Sequence, residues 1–245
     1  MKAVAVIPAR YGSTRFEGKP LAMLSGKPMV QWVYENAASC ALIDQVIVAT
    51  DDHRIARAVQ EFGGTVRLTA STHETGTDRV AEAARDIDAE IIVNIQGDEP
   101  LLPREAIRQA VEPLLDAMTI SMGTLKTKIR DFEDITNINV VKVVTDARGF
   151  ALYFSRSAIP YAKAEDTPSD IFRHIGLYAY RKDFLMKFTE LPQSSLEKAE
   201  SLEQLRALEY GYAIKVVETQ YYPVGVDVPE DVARVERLLA CRLDT

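Results

Sequence analysis

The sequence predicts an α/β fold with a largely parallel central sheet flanked by helices, together with a β-rich insertion. Through the first half of the 245 residues, short β-branched apolar segments alternate with amphipathic ones. This alternation is typical of parallel strands connected by helices. After about residue 118 the strand candidates follow one another more closely. We therefore expect a single domain over 1–245, with an inserted region at about 118–218 and a return to the main sheet over 219–245.

The individual elements follow from apolar periodicity and from turn residues. Strands are predicted at about 3–8, 45–50, 65–69, 90–96, 120–126, 140–145, 150–155 and 172–181. Residues 146–149 are predicted to form a hairpin turn. Helices are predicted from Pro28 as the first helical residue, over 52–62, from near Thr77, from near Pro103, over 193–210 and over 228–239.

Composition excludes several classes of protein. The net charge of −7, from 36 acidic and 29 basic residues, argues against a general nucleic-acid binder. No apolar run is long enough to span a bilayer, and the apolar stretch at the start is too short for a secretory signal. Two cysteines do not form a disulfide framework, and the three histidines form no zinc or haem ligand cluster. We expect a cytoplasmic protein that binds neither nucleic acid nor membrane.

A basic loop with two glycines follows the first predicted strand, over residues 8–21. It contains Arg10, Arg15 and Lys19. Ligands bind at the carboxyl ends of strands in open α/β sheets, and guanidinium, ammonium and glycine N–H groups bind phosphate oxygens. We therefore predict a triphosphate site here. The glycine spacing and the proline after the lysine exclude a Walker loop, and a solvated basic loop is the alternative.

Two acidic positions lie near the ends of other predicted segments. Asp98 follows the buried run 91–95 and a glycine, and Asp227 lies near the far end of the chain. Mg²⁺ prefers oxygen ligands and commonly uses one or two carboxylates together with phosphates and water. We predict that the two carboxylates hold Mg²⁺ beside the triphosphate. For Asp227 taken alone, a helix cap is the alternative.

A third group lies between a predicted strand and a predicted helix. It contains Thr75, Gly76 and Arg79. Backbone N–H groups and hydroxyls at such a position point toward the ligand edge of the sheet. Two interpretations stay open, because the segment could read the nucleotide base or simply cap the helix.

Seven ordered blocks of sequence resemble a known family over essentially the full length. They are IPARYGSTRFEGKPL (7–21), HETGTDR (73–79), IIVNIQGDEP (91–100), ALYFSRSAIPY (151–161), RHIGLYAYR (173–181), LEQLRALEYG (202–211) and GVDVPEDV (225–232). On these blocks the chain resembles the 3-deoxy-manno-octulosonate cytidylyltransferases. Seven blocks in order are more specific than any single loop.

The resemblance implies a Rossmann-like nucleotidyltransferase fold and a cytoplasmic homodimer, with the inserted region serving sugar binding and dimerisation. It implies Mg²⁺-dependent transfer of the cytidylyl group of CTP to 3-deoxy-manno-octulosonate (Kdo). The products would be pyrophosphate and CMP-Kdo, which is used in lipopolysaccharide inner-core synthesis. One alternative is a cytidylyltransferase for another sugar acid, such as sialic acid or an amino analogue of Kdo. The other is a catalytically silent nucleotide-binding module.

The resemblance also implies residue roles. The triphosphate would be held by Arg10, Ser13, Arg15 and Lys19, and the nucleotide positioned by Thr75, Gly76 and Arg79. Asp98 and Asp227 would hold Mg²⁺ and would act in catalysis with Lys19, Arg10 and Arg15. The sugar would be bound by Gln96, Arg156, His174, Tyr178, Glu203 and Gln204.

Arg156 and His174 are expected to meet the charge of the sugar carboxylate. Each has an ordinary alternative, because Arg156 could be a surface charge and His174 could be a hydrogen-bonded histidine within a strand. Glu203 and Gln204 could form the polar face of a helix. Two departures from the family pattern are visible. Glu17 stands where the family usually has proline, and Thr75 stands where it usually has serine. An acid beside the phosphate loop should weaken nucleotide binding unless its side chain points outward.

Overall fold

The computed structural model describes residues 1–12, 15–161 and 170–243 and divides into two compact units. Unit 1 comprises Met1–Arg108 and Pro223–Thr245, and unit 2 comprises Gln109–Tyr222. Within the described ranges, no helix has the length and apolar composition needed to cross a membrane.

The elements are numbered in chain order. The strands are β1 (Ala3–Ala9), β2 (Met23–Leu24), β3 (Lys27–Pro28), β4 (Gln45–Thr50), β5 (Val66–Leu68), β6 (Ile91–Asn94), β7 (Met122–Lys128), β8 (Lys142–Thr145), β9 (Ala151–Ser155), β10 (Phe172–Arg181) and β11 (Ile214–Glu218). The helices are α1 (Met29–Ala38), α2 (His53–Glu61), α3 (Gly76–Ala84), α4 (Arg104–Asp116), α5 (Phe132–Thr136), α6 (Lys182–Glu190), α7 (Ser195–Glu200), α8 (Gln204–Glu209) and α9 (Asp231–Leu243). A short 3-10 helix covers Lys19–Leu21.

Unit 1 is built on four parallel strands in the order β6-β1-β4-β5. The run from Ala3 to Ile7 in β1 is fully buried, as expected for a central parallel strand covered on both faces. Helices α1, α2 and α3 contact these strands. The predicted α/β class with a largely parallel sheet flanked by helices is confirmed. Because the strands are parallel, the loops after β1, β4 and β6 leave from the same edge.

The helix boundaries of unit 1 agree with the predictions in part. The helix predicted over 52–62 is confirmed as α2. Asp52 caps it by accepting a hydrogen bond from the Arg54 N–H at 2.8 Å, and Gly63 follows it with φ +80°. The prediction that Pro28 is the first helical residue is wrong. Pro28 has extended backbone and pairs with Met23 in a small antiparallel ribbon, because its fixed φ suits an extended residue as well as a helical one.

Unit 2 is a mixed sheet. β10 pairs with β7 in antiparallel orientation, β11 pairs with β7 in parallel, and β8 and β9 form an antiparallel hairpin. The hairpin turn lies at the predicted 146–149. There the Asp146 carboxylate accepts hydrogen bonds from the backbone N–H groups of Arg148 and Phe150, both at 2.8 Å. Gly149 follows with φ +78°, a conformation that favours glycine.

The single helix predicted over 193–210 is wrong, because the segment forms two short helices, α7 and α8. Ser201 separates them with φ +51°. A capping box between Ser194 and Glu197 begins α7, and the bend lets Glu197 meet Arg206 of α8 in a buried ion pair at 2.6 Å. The ion pair and the capping hydrogen bonds compensate for the loss of a continuous helix.

Candidate active site

A cavity of about 270 Å³ opens at the carboxyl edge of the unit 1 sheet. It is lined by the last residues of β1, by residues that follow β1 and β6, and by residues that precede and begin α3. The lining consists of Pro8, Ala9, Arg10, Arg15, Lys19, Pro20, His73, Glu74, Thr75, Gly76, Arg79, Gln96, Gly97 and Asp98. The predicted phosphate loop, the Thr75–Gly76 turn and the loop after β6 therefore meet at one cavity.

The phosphate loop is shaped by a glycine. Gly18 has φ +68° and precedes the 3-10 helix that begins at Lys19. Its N–H donates to the Tyr11 carbonyl at 2.9 Å, and a Cβ at Gly18 would lie 3.1 Å from the Tyr11 ring. Both the conformation and the close approach therefore require glycine. Ser13, predicted to bind the triphosphate, lies outside the described residues.

Asp98 and Asp227 converge on one ammonium group. Lys19 Nζ lies 2.8 Å from Asp98 Oδ2 and 3.8 Å from Asp227 Oδ1. Arg15 Nη2 lies 3.2 Å from the same oxygen of Asp227. Two carboxylates separated by more than a hundred positions in the sequence thus lie beside the arginine-lysine loop, which is the arrangement that the sequence analysis required.

An apolar cluster brings the chain's far end to this place. Val226 is fully buried with Leu24 and Leu101 and with Val235 and Leu239 of α9. The Val226 N–H donates to the Asp98 carbonyl at 3.0 Å, which fixes the two acidic loops against each other.

The capping role that was the alternative for Asp227 belongs to Asp231. The Asp231 carboxylate at the start of α9 accepts the N–H groups of Asp227 and Val228, at 2.8 and 3.1 Å. The Asp227 carboxylate faces Arg15 and Lys19 instead. The same turn delays the helix, so that α9 begins at Asp231 rather than at the predicted Val228.

The carboxylates suit a hard divalent cation. Their side chains are 35% (Asp98) and 58% (Asp227) exposed, so their oxygens are accessible. Among the described residues, no three or more His, Cys, Asp or Glu side chains form a metal cluster of their own. A cation here would take its remaining ligands from phosphate and water, as Mg²⁺ commonly does. The donor set therefore fits the predicted ion.

The Thr75 segment caps a helix and also lines the cavity. The Thr75 hydroxyl accepts a hydrogen bond from the Asp78 N–H at 3.1 Å, which begins α3. Arg79 is 5% exposed, and its guanidinium donates to the Thr69 hydroxyl at 2.6 Å and lies 3.2 Å from the Asp51 carboxylate. These contacts fix Arg79 at the cavity wall. Capping of α3 and recognition of the nucleotide base are therefore compatible interpretations of this segment.

His73 and Glu82 form a pair at the cavity that the sequence analysis did not single out. His73 lines the cavity, and its Nε2 contacts the Glu82 carboxylate. This hydrogen bond, together with one from the Ala70 N–H, lowers the pKa of Glu82. The position of His73 at the start of the 73–79 block is the signal that could have found it.

In unit 2, His174 and Tyr178 of β10 lie together. Their ring centroids are 5.3 Å apart, and the Phe154 ring lies 5.0 Å from that of His174. The pairing register between β10 and β7 shifts between Ile175 and Tyr178, so β10 is irregular along this stretch. Burial raises the pKa of Tyr178 well above 10, and the negative charge of Glu203 adds to the effect. The structure therefore brings two of the predicted sugar-binding residues, His174 and Tyr178, into contact.

The contact of His174 with the sugar carboxylate stays a prediction, and its surroundings favour the neutral form of the ring. Burial, together with the positive charge of Arg173, lowers the pKa of His174 to about 3. Its Nε2 lies 2.9 Å from the Thr124 hydroxyl, which also donates to the Leu177 carbonyl at 2.8 Å. Since that hydroxyl has one proton, Nε2–H is the donor toward it. At neutral pH the ring is a neutral hydrogen-bonding group.

Arg156 is anchored rather than free on the surface. Its guanidinium donates to the carbonyls of Glu200, Ile138 and Ser201 at 2.7, 2.9 and 3.2 Å. These bonds occupy three of its five N–H donors. The fully buried Lys142 donates to the Arg156 carbonyl at 2.6 Å. A lysine within the valine-rich strand β8 was the available signal for this support, and the sequence analysis missed it.

The two remaining predicted residues of unit 2 stand at the start of α8. Glu203 is its N-cap residue and Gln204 its first helical residue, with Gln204 only 5% exposed. A buried glutamine is not part of an exposed polar face, so that alternative is wrong for Gln204. The remaining predicted residue, Gln96, is half-buried and lines the cavity of unit 1.

Comparisons with known proteins agree with this site. The family model described as cytidylyltransferase matches residues 4–216. The chain is 56% identical to the 3-deoxy-manno-octulosonate cytidylyltransferase of Syntrophotalea carbinolica, over 96% of this chain and 98% of the relative. It is 55% identical to the protein of that name from Geotalea uraniireducens, over 97% of this chain and 99% of the relative.

A solved structure of CMP:2-keto-3-deoxy-manno-octonic acid synthetase complexed with CTP superposes with a TM-score of 0.94. The identity is 43%, over 99% of this chain and 100% of the neighbour. Fold and site thus define a nucleotidyltransferase, a class that generally depends on a divalent metal. The chain belongs to the cytidylyltransferase family and, within it, to the 3-deoxy-manno-octulosonate cytidylyltransferases.

Proposed function

We propose that the chain transfers the cytidylyl group of CTP to Kdo, giving CMP-Kdo and pyrophosphate for lipopolysaccharide inner-core synthesis. The observation that carries the proposal is the convergence of Asp98 and Asp227 on Lys19, which lines the cavity. Together with the similarity to relatives of that name over nearly the full length, this placement supports cytidylyl transfer.

Cationic side chains would bind the triphosphate. Arg10, Arg15 and Lys19 line one side of the cavity, where guanidinium forks and an ammonium group can bind the β- and γ-phosphates. Ser13 is proposed as a further contact from the same loop. Thr75, Gly76 and Arg79 line the cavity near the start of α3 and would position the nucleotide.

The proposed chemistry is an in-line displacement. The anomeric hydroxyl oxygen of Kdo attacks the α-phosphorus, a new P–O bond forms, the bond to the β-phosphate oxygen breaks, and the hydroxyl proton is lost. Lys19, Arg10 and Arg15 offset the charge that gathers on the departing pyrophosphate. Asp98 and Asp227 would hold Mg²⁺, which neutralises phosphate charge and lowers the pKa of the attacking hydroxyl when bound.

We propose sugar contacts for residues in each unit. In unit 1, Gln96 lines the cavity and can hydrogen-bond a sugar hydroxyl through its amide. In unit 2, Arg156 has N–H donors without a hydrogen bond to any other described residue, and these can bind a carboxylate. The neutral His174 and Tyr178 can bind hydroxyls. Glu203 and Gln204 would add an acceptor and a further amide. A site that hydrogen-bonds hydroxyls rejects analogues that lack them.

We further propose that the protein is a cytoplasmic homodimer. Cytoplasmic action is supported by CTP as the substrate. Self-association is supported by large apolar side chains that unit 2 exposes, namely Phe132, Ile138, Leu152 and Tyr161. Light scattering after size-exclusion chromatography would report twice the mass of the chain, and a monomer at micromolar concentration would contradict this assembly.

One assay tests the proposed reaction. Pyrophosphate release would be followed with CTP, Mg²⁺ and Kdo, and then with sialic acid or an amino analogue of Kdo in place of Kdo. We expect the highest kcat/KM with Kdo and CTP, and little release with ATP or GTP. Faster turnover of another sugar acid would reassign the substrate. CTP binding without pyrophosphate release from any of the acids would instead indicate a silent nucleotide-binding module.

A further inference from the structure

Tyr11 of the phosphate loop is contacted from outside the cavity by an arginine. The Arg54 guanidinium carbon lies 3.2 Å from the centroid of the Tyr11 ring, a stacked cation–π arrangement. Arg54 belongs to the first turn of α2, and neither Arg54 nor Tyr11 is among the residues that line the cavity. This contact therefore acts on the loop and not on the ligand.

The arginine is held in place on its other side. Its Nε and Nη2 donate to the two carboxylate oxygens of Asp52, at 3.0 and 2.7 Å. These hydrogen bonds hold the pKa of Asp52 at about 2. A bidentate pair orients a guanidinium plane, so Arg54 presents a fixed face to Tyr11.

The ring in turn supports the turn before Lys19. Gly18 lies against the Tyr11 ring, where a Cβ would come within 3.1 Å, and its N–H donates to the Tyr11 carbonyl at 2.9 Å. Contacts therefore run from Asp52 through Arg54 and Tyr11 to Gly18. The last of these precedes the lysine that meets Asp98.

Glu17, the acid that departs from the family pattern, does not face the cavity. It is exposed and is not among the residues that line the cavity. The expected weakening of nucleotide binding by an inward-pointing acid therefore does not apply, and the support of the loop by Arg54 is carried by the contact with Tyr11.

We propose that Arg54 is a positioning residue for nucleotide binding. It braces the phosphate loop by stacking on Tyr11. Arg54 does not touch the substrate. The inference rests on the proposed use of this loop for CTP, and it adds a residue of α2 to the support of that loop.

The unaltered chain and Arg54→Met test the proposal. CTP affinity would be measured by calorimetry with Mg²⁺, and kcat and KM by pyrophosphate release. We expect Arg54→Met to raise Kd and KM for CTP by about three- to tenfold, with kcat changed by less than about twofold.

Two further variants separate a positioning role of Arg54 from the general effect of removing a positive charge from α2. Arg54→Lys keeps the charge but loses the planar stack, so we expect a smaller rise in KM than for Arg54→Met. Arg57→Met removes an exposed arginine of the same helix that pairs with Glu61, and it should leave KM unchanged. Thermal unfolding of each variant would verify that it is folded.

Each result counts for or against the proposal. It is overturned if folded Arg54→Met binds CTP like the unaltered chain, or if Arg57→Met raises KM equally. Absence of CTP binding by the unaltered chain would overturn the proposed function and this inference together. CTP binding that is unaffected by Arg54→Met would overturn the positioning role alone.

Discussion

The Val226 N–H donates to the Asp98 carbonyl at 3.0 Å, and this bond joins the two acidic loops. Val226 is also buried in the apolar cluster with α9, so packing and hydrogen bonding place the neighbouring Asp227 near Lys19. The position of the second carboxylate is therefore set by hydrophobic burial at the far end of the chain. Catalysis as proposed depends on that tertiary contact as much as on the carboxylates.

Replacing Asp98 with asparagine should abolish most turnover. Asp98→Asn keeps the shape but removes the charge that pairs with Lys19 and that would hold the divalent ion. We expect kcat to fall by about 10²- to 10³-fold at saturating CTP, Kdo and Mg²⁺. The rate of pyrophosphate release measures this fall in kcat. Asp86→Asn, at an exposed position of unit 1, is the control, and near-normal activity of Asp98→Asn would remove the catalytic role of this carboxylate.

Gly18→Ala should impair CTP binding beyond its effect on stability. An alanine at φ +68° is strained, and its Cβ would press on the Tyr11 ring. Gly63→Ala has the same kind of strain at φ +80° but open space around the Cβ. Both should lose about 1 kcal/mol of unfolding free energy, whereas only Gly18→Ala should raise KM for CTP. Equal KM values for the two variants would contradict the role given to this turn.

His174 should make the protein less stable in mild acid. Its folded pKa of about 3 lies below the unfolded value of about 6.5, so between these values the unfolded chain binds more protons. Stability from this group is therefore complete above pH 6.5 and is lost as pH falls toward 3. We expect a loss of about 2 kcal/mol between pH 7 and pH 5.

Denaturant unfolding at several pH values measures this dependence. His174→Gln should flatten it over that interval, whereas His53→Gln, at an exposed position, should not. An unchanged pH dependence in His174→Gln would mean that the ring is protonated in the folded protein.

The ion pair between Glu197 and Arg206 should contribute strongly to folding. Both side chains are nearly fully buried, at 6% and 7% exposed. Glu197→Ala would remove the carboxylate that balances the charge of the buried Arg206, and we expect a loss of about 3–5 kcal/mol in the free energy of unfolding. Glu61→Ala removes a partner of the exposed pair with Arg57 and should cost less than about 1 kcal/mol. Similar losses in the two variants would refute this ranking.

Local sequence patterns account for much of the fold and for the unit 1 site. Parallel strands are continuous apolar runs, so their limits are visible in the sequence, and the parallel arrangement places the loops after β1 and β6 at one edge. The charged residues of those loops, including Arg10, Lys19 and Asp98, could therefore be assigned to one site. The distant Asp227 was predicted as the second carboxylate because Mg²⁺ commonly uses one or two carboxylates, and the family resemblance implied the same residue.

Features that depend on contacts between distant segments could not be predicted. The break at Ser201 reflects the pairing of Glu197 with Arg206, which helical periodicity does not reveal. The neutral state of His174 comes from burial against other strands. Arg54 reaches Tyr11 across 43 positions in the sequence, and an arginine in an amphipathic helix gives no local sign of such a contact.

Binding of Mn²⁺ in place of Mg²⁺, followed by electron paramagnetic resonance in the presence of CTP, tests the central claim most directly. If Asp98 and Asp227 share one ion beside the triphosphate, the unaltered chain binds Mn²⁺ in a CTP-dependent manner. Asp98→Asn and Asp227→Asn should each weaken that binding by at least about tenfold. Unchanged Mn²⁺ affinity and turnover in Asp227→Asn would contradict the account.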